Sequence, residues 1–218
     1  MEDPSFRCAR CRGTAWPIDA RPATEFAVGE ESVEIVDNFC YLGDSICAGG
    51  GCSRAVTTRV RCAWGKFRQL LPLLVSKSIS WHRKGQLFSA CVRRVMLHAS
   101  ECWAPTKKDL DKINRTDRSM IRWMCNVRLR DRVHTDVLLE RLKLQPIETI
   151  LRCGRLRWYG HVHRSPEWIN QVTTLNVDGS APRGRPKKTW QQVIDDDRRK
   201  WRMVGTDPFE REEWRREL

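Results

Sequence analysis

The apolar residues that follow Ser53 recur at alternating intervals of four and three positions. The series comprises Val56, Val60, Ala63, Phe67, Leu70 and Leu74. This spacing places every member on one side of an α-helix, because about 3.6 residues complete one turn. Arg54, Arg61 and Arg68 recur every seven residues, which places them on roughly the opposite side of the same helix. The segment therefore predicts a helix with one buried face and one positively charged face.

Further helices are predicted along the rest of the chain. Ser80 is a good N-cap for a helix that runs to about Ser100. Its inward residues are expected to be Leu87, Cys91, Val95 and His98. We expect other helices over 107–124 and 135–142, from Pro146, from Pro186, and in the tail from Asp207. The expected inward residues of the helix over 107–124 are Leu110, Ile113, Met120 and Met124. The helix from Pro146 carries Ile147, Ile150, Leu151, Gly154 and Trp158.

The segment before these helices has a different pattern. Residues 24–46 are rich in β-type residues and contain a turn at 29–31, so they predict two or three short strands in a hairpin arrangement. The predicted fold class is mainly α, with a short N-terminal β hairpin followed by a basic helical bundle of about six helices. The chain then divides into an irregular segment plus hairpin (1–50), a helical bundle (51–145) and a basic C-terminal helical segment (146–218).

The formal net charge of +13 is unevenly distributed along the sequence. Residues 1–50 hold 4 basic and 9 acidic residues, a net charge of −5. Residues 51–218 hold 36 basic and 18 acidic residues, a net charge of +18. A basic excess confined to one part of a chain suggests a polyanionic partner. Nucleic acid is the leading expectation, and an anionic membrane surface is the second.

Other classes of protein are disfavoured by the sequence. No apolar run approaches the roughly 18 residues of a membrane span, and the N-terminus lacks the regions of a secretory signal. We therefore expect a nuclear or cytoplasmic protein without a cofactor, with mostly reduced cysteines. Cys8 and Cys11 have the spacing of half a zinc site, but no second such pair follows, so no metal is predicted.

Catalytic motifs are also missing from the sequence. No P-loop, dinucleotide-binding fingerprint or nucleophile elbow occurs. The acidic run 195–197 falls on a predicted helix, where consecutive side chains point in different directions. We interpret this run as a surface feature that forms ion pairs with the cations that follow it.

Basic residues are concentrated in two short stretches near the C-terminus. In the first, Gly184 and Pro186 are flanked by four cations, namely Arg183, Arg185, Lys187 and Lys188. The stretch resembles the Gly-Arg-Pro core of an AT-hook, which lies in the narrow minor groove of A·T-rich DNA. The alternative is a solvated loop that leads into the next helix through Pro186.

The second stretch places basic and aromatic residues side by side on a predicted helix. Arg155 and Arg157 precede Trp158 and Tyr159. Arginine neutralises phosphates, and an aromatic ring can stack on a base. The alternative is that Trp158 anchors the core while the arginines face solvent.

Several motifs together resemble one protein family. In order, the sequence contains VDNFCYLGD at 36–44, GGC at 50–52, AWGKF at 63–67, MLHASECW at 96–103, DRSMIRWMC at 117–125, LRWYGHV at 156–162 and GRPKKTW at 184–190. This set closely resembles the C-terminal part of the reverse transcriptases of non-LTR (LINE-type) retrotransposons, from about residue 6 to the end. Each motif alone is modest, and their order and spacing carry the resemblance.

The resemblance implies roles for parts of the chain. Phe39, Tyr41, Leu42 and Gly43 would belong to the hairpin that grips the primer end. The helices of 51–145 would form the thumb along a primer–template duplex, and 146–218 would hold nucleic acid. The palm aspartates that bind two metal ions in this family have no counterpart here, and neither does the N-terminal endonuclease. We therefore expect no polymerase activity from this chain.

Three hypotheses follow from the sequence. The first is a nucleic-acid-binding remnant of an RNA-directed DNA polymerase, in which Arg54, Arg61 and Arg68 line a phosphate track. The second is a domesticated A·T-rich DNA-binding module that uses the stretch 183–188. The third is a translated fragment without a function, with an exposed apolar surface where the palm would dock.

Overall fold

The structure is a computed structural model that describes residues 25–28, 31–48, 50–166, 169 and 187–218. Two antiparallel hairpins come first. They are formed by β1 (Glu25–Val28) with β2 (Glu31–Glu34), and by β3 (Asn38–Tyr41) with β4 (Asp44–Cys47). The short β segment before the helical body is confirmed, and its described strands form two separate two-stranded sheets. In the second sheet, Phe39 lies opposite Ile46.

The remaining described elements are helical, so the predicted mainly α fold is confirmed. They are α1 (Ser53–Val75), α2 (Trp81–Leu87), a π-helical turn (Phe88–Arg93), α3 (Arg94–Met96), α4 (Lys107–Met124), α5 (Thr135–Leu142), α6 (Ile147–His163), α7 (Trp190–Lys200) and α8 (Arg211–Arg216). Two 3-10 turns join them at Ser100–Cys102 and Leu129–Asp131.

Helix α1 buries the apolar stripe that its sequence predicts. Val56, Val60, Ala63, Phe67 and Leu74 are buried in it, whereas Leu70 is half-buried. Phe67 packs edge-on against Phe88, which brings α1 onto the π-helical turn. The stripe therefore forms one wall of the main core, as its four-and-three spacing requires.

The predicted second helix is present, but the inward residues predicted for it are wrong by one position. Ser80 caps α2 by accepting a hydrogen bond from the Arg83 N–H. The buried side chains are Phe88, Val92 and Met96, not the predicted Leu87, Cys91, Val95 and His98, and His98 is exposed. The helical run also ends near Met96 rather than Ser100, because Ala99 is left-handed with φ 58°.

The register of this run is set by a close backbone contact. Gly85 is buried against α5, where an added Cβ would lie 2.0 Å from the carbonyl oxygen of Leu142. This contact turns the side of α2 that carries Gly85 and Phe88 toward the core. The apolar pattern alone did not reveal this rotation of α2, since the residue that decides it, Gly85, has no side chain.

A buried ion pair joins this run to α4. Arg93 Nε and Nη2 donate to the two carboxylate oxygens of Asp117 at 2.8 and 2.7 Å. Its Nη1 donates to the Gln145 carbonyl at 2.7 Å, just before α6. Both charged side chains are almost fully buried. One guanidinium therefore ties together the π-helical turn, α4 and the start of α6.

Helix α6 contributes to two hydrophobic cores. Its first turns place Ile147 and Leu151 in the main core with α1 and α4. Its later turns place Leu156 and Tyr159 in a second core. The other buried members of the second core are Ile194, Met203 and Trp214, from α7, the loop after it and α8. The two cores are thus connected by a single continuous helix.

The second core has a titratable group at its edge. His163 packs 4.2 Å from the Tyr159 ring and 6.2 Å from the Phe209 ring, measured between centroids. Burial, together with the positive charge of Arg198, lowers the pKa of His163 below 6.5, and Asp207 opposes this shift. The folded protein therefore holds this imidazole in its neutral form more strongly than the unfolded chain does.

We expect acidification to destabilise the fold through His163. Its pKa is lower in the folded state, so this contribution is complete above about pH 6.5 and is lost as the pH falls toward the folded pKa. Urea unfolding at pH 7.5 and 5.5 should show a smaller loss of stability in His163→Gln than in the unmodified chain. Equal losses in the two proteins would contradict the prediction.

Candidate nucleic-acid interface

The charged face predicted for α1 is present. Arg54, Arg61 and Arg68 are all exposed and form no hydrogen bond or ion pair with another described residue. Their seven-residue spacing separates them by about 10.5 Å along the helix axis. Helix α1 carries no acidic residue. Gly65 lies on the same face, where an added Cβ would meet nothing within 4 Å, so a partner can approach the backbone closely there.

Helix α4 lies beside α1 and runs in the same direction. Ser53 Oγ donates to Asp109 Oδ2 at 3.1 Å, and Lys112 Nζ donates to Thr57 Oγ1 at 2.7 Å. Further along, the rings of Trp64 and Trp123 lie 6.3 Å apart. These contacts follow the two helices in order from their N-termini, so the exposed side of α4 continues the arginine face of α1.

The acidic residues of α4 are mostly turned inward. Asp109 is buried and completes a capping box with Thr106, and Asp117 is buried against Arg93. Asp111 is half-exposed. The exposed side of α4 next to α1 carries cations instead, and together with the α1 arginines they form what we call the basic face. Its members are Arg54, Arg61, Arg68, Lys108, Lys112 and Arg115.

The α4 cations were missed in the sequence. Asp109, Ile113 and Asp117 are spaced four apart, in line with the apolar stripe of α4, and this spacing is the sequence signal for the exposed cations. An acidic residue on that stripe faces the core, so it places no carboxylate on the exposed side of the helix. Counting the charges on each face of the helix, rather than along each stretch of sequence, would have identified Lys108, Lys112 and Arg115 as members of a basic surface.

The hairpin of β3 and β4 presents aromatic side chains to solvent, on a turn attached to α1. Phe39 and Tyr41 are each 55% exposed, and their rings are stacked with centroids 6.3 Å apart. They lie two residues apart on one strand, which puts both on one side of the sheet. Leu42 is also exposed, and Gly43 adopts φ 79° in the turn. The hairpin thus offers flat apolar rings to solvent.

Three side chains hold this turn in place. Arg59 Nη2 of α1 donates to the Gly43 carbonyl, and His98 Nε2 lies 3.2 Å from the Leu42 carbonyl. Trp103 Nε1 donates to Asp44 Oδ2 at 3.3 Å. The exposed rings therefore sit on a turn that is fixed to the helix bearing the arginines.

Arg155 does not reach solvent, contrary to the sequence prediction. It is only 5% exposed, and its Nε and Nη2 donate to Asp197 Oδ2 at 2.8 and 2.6 Å. Arg155 is four residues from both Leu151 and Tyr159, so it lies on the buried side of α6. The phosphate role for Arg155 is wrong, whereas Arg157 is exposed.

Two related interpretations are also corrected. Asp197 is buried between Arg155 and Arg152, so the acidic run 195–197 is not wholly a surface feature. Trp158 is exposed and does not anchor the core; Tyr159 occupies the buried position. Asp197 is buried because α7 packs against α6, where Arg152 and Arg155 pair with it.

The C-terminal basic stretch is only partly within the described residues. Arg183 and Arg185 lie outside them, as do Cys8 and Cys11. Lys187 is exposed, with Nζ 3.4 Å from the Gly50 carbonyl. Lys188 is exposed and pairs with Asp196, and this hydrogen bond lowers the pKa of the Asp196 carboxyl. Lys188 therefore has a partner within the chain.

The described ranges contain no group of three or more His, Cys, Asp or Glu side chains placed to hold a metal ion. Burial, reinforced by the charges of Asp109 and Asp44, raises the pKa of Cys52 to about 12, so this thiol stays protonated. No helix among the described residues has the length and apolar character needed to cross a bilayer. Comparisons with protein-family models, curated proteins and solved structures find no match to the chain.

Proposed function

We propose that this chain binds nucleic acid, with the basic face lying along the sugar–phosphate backbone of a duplex. The observation that carries the proposal is the separation of charge in α1 and α4. Their cations point outward, whereas Asp109 is buried in its capping box and Asp117 is buried and paired with Arg93. Phosphate contacts supply most of the sequence-independent affinity for nucleic acid, and unpaired arginines and lysines are the groups that make them.

The hairpin supports a more specific version of this proposal. Phe39 and Tyr41 present stacked rings, and Arg59 ties their turn to the helix that carries the basic face. Exposed rings held at a fixed position on the helix that bears the arginines can stack on the flat side of a terminal base pair at the end of a duplex. Together with the resemblance to non-LTR reverse transcriptases, this favours a primer–template-like duplex as the partner and a binding role rather than polymerisation.

A salt titration tests the proposal. Replacing Arg54, Arg61 and Arg68 together by Gln should remove three phosphate contacts. On duplex DNA, the slope of log K against log salt should then become shallower by about 2.7, since each contact contributes about 0.9. The matched control replaces Arg211, Arg215 and Arg216 by Gln; these exposed cations lie on α8, which packs against α6.

The choice of probe separates the remaining hypotheses. We expect the tightest binding to an RNA–DNA primer–template, compared with an A·T-rich duplex and with anionic lipid vesicles. If the control triple variant lowered the slope as much as the α1 variant, the basic face would not be the contact surface. Preference for the A·T-rich duplex would favour the stretch 183–188, and binding to vesicles alone would contradict the proposal.

A further inference from the structure

An open cleft lies between α6 and the 3-10 turn Ser100–Cys102. Its volume is about 390 Å³, and it is lined by Glu101, Gly154, Arg157, Trp158 and His161. The hydrogen bond from Trp190 Nε1 to the Glu101 carbonyl, at 2.8 Å, fixes the turn that forms one wall. The basic face lies on α1 and α4, so the cleft is a separate feature.

Trp158 gives the cleft a flat apolar surface. Its side chain is 38% exposed, and its ring lies 5.2 Å from the His161 ring with 37° between the planes. Gly154, one turn earlier on the same side of α6, forms the floor, and an added Cβ there would meet no described atom within 4 Å. A glycine inside a helix is destabilising relative to alanine. Here it leaves open space in front of the tryptophan rather than allowing a close contact within the fold.

The polar groups of the cleft are also unengaged. Arg157 is exposed, and neither its guanidinium nor the Glu101 carboxylate forms a hydrogen bond or ion pair with a described residue. The guanidinium is suited to a phosphate, and the two carboxylate oxygens can only accept hydrogen bonds. The cleft therefore combines a stacking surface, a phosphate ligand and a paired acceptor.

We propose that this cleft binds one unpaired nucleotide of a single-stranded DNA or RNA segment. The base stacks on Trp158 above Gly154, and Arg157 binds its phosphate. Glu101 favours guanine, because the N1–H and N2–H groups of that base offer two neighbouring donors to one carboxylate. This inference goes beyond duplex binding by the basic face and does not depend on it.

The test uses a fluorescein-labelled short thymidine oligonucleotide, with and without a single central guanine, and the corresponding uridine oligonucleotides. Binding to the full chain is measured by fluorescence anisotropy. Trp158→Leu should weaken binding roughly tenfold, which is within the range of base–aromatic stacking. The matched control is Trp81→Leu, since Trp81 is 39% exposed on α2, and it should leave affinity unchanged. The sugar type that binds more tightly identifies the strand.

Two further variants test the cleft with substitutions that we do not expect to destabilise the fold. Gly154→Leu should occupy the space in front of Trp158 and weaken binding to a similar extent without lowering the midpoint of thermal unfolding. Glu101→Gln should abolish the preference for the guanine-containing strand while affinity for the plain thymidine strand is retained. Unchanged binding by Trp158→Leu and Gly154→Leu would overturn the inference.

The two proposals fail separately. If the triple Arg54, Arg61 and Arg68 variant loses duplex binding but keeps its guanine preference, both the basic face and the cleft are supported as distinct sites. If Trp81→Leu weakens single-strand binding as much as Trp158→Leu does, the cleft is not the binding site, whatever the duplex result.

Discussion

Replacing Asp117 by Ala should cost about 3–5 kcal/mol of unfolding free energy. The substitution leaves the Arg93 guanidinium buried, and among the described residues only the Gln145 carbonyl still accepts a hydrogen bond from it. An uncompensated buried charge is far more costly than the loss of an exposed pair. Since domains of this size are commonly stable by about 5–15 kcal/mol, urea unfolding should show a large shift of the midpoint.

The matched control removes both charges at once. Arg93→Met combined with Asp117→Leu replaces the pair by apolar side chains of similar size, so no charge is stranded. The double variant should be markedly more stable than Asp117→Ala, because it leaves no buried charge without a partner. A midpoint for Asp117→Ala close to that of the unmodified chain would show that the pair is not buried in solution.

Replacing Gly85 by Ala should be similarly damaging, although it adds only a methyl group. The new Cβ would lie 2.0 Å from the Leu142 carbonyl oxygen and 3.1 Å from its carbonyl carbon. Both atoms belong to the backbone at the end of α5, so relief requires α2 and α5 to separate. We expect a loss of about 3 kcal/mol in unfolding free energy, at the upper end of the usual cost of overpacking.

Replacing Gly65 by Ala should instead increase the free energy of unfolding. Gly65 is exposed on α1, and a Cβ there meets nothing within 4 Å. Alanine in a helix interior is favoured over glycine by about 0.5–1 kcal/mol, so Gly65→Ala should raise the unfolding midpoint. If both variants changed stability in the same direction, the contact between Gly85 and Leu142 would not explain the first result.

The elements that the sequence predicted well share a simple physical basis. Helix α1 and the inward positions Ile113, Met120 and Met124 of α4 follow from apolar periodicity, because burial of a continuous stripe dominates their packing. The cap at Ser80 follows from a local hydrogen bond. In each case the deciding residues lie within a few positions of one another.

The predictions that failed depend on distant partners. Arg155 is neutralised by Asp197, 42 positions away. The pairing of Asp117 with Arg93, 24 positions away, was not predicted at all. A charged residue on a buried stripe indicates that an oppositely charged partner exists, but the sequence does not identify that partner. The rotation of α2 depends on the contact of Gly85 with Leu142, and a glycine leaves no trace in an apolar pattern.

Helix α6 couples the stability of the two cores, because it packs in both. It spans about 25 Å, with Ile147 packed at one end and Tyr159 near the other. Local unfolding of either core would disturb α6, so the packing of α6 in one core opposes local unfolding of the other. We therefore expect a ligand bound next to Trp158 to stabilise the main core as well, although it would touch no residue of that core.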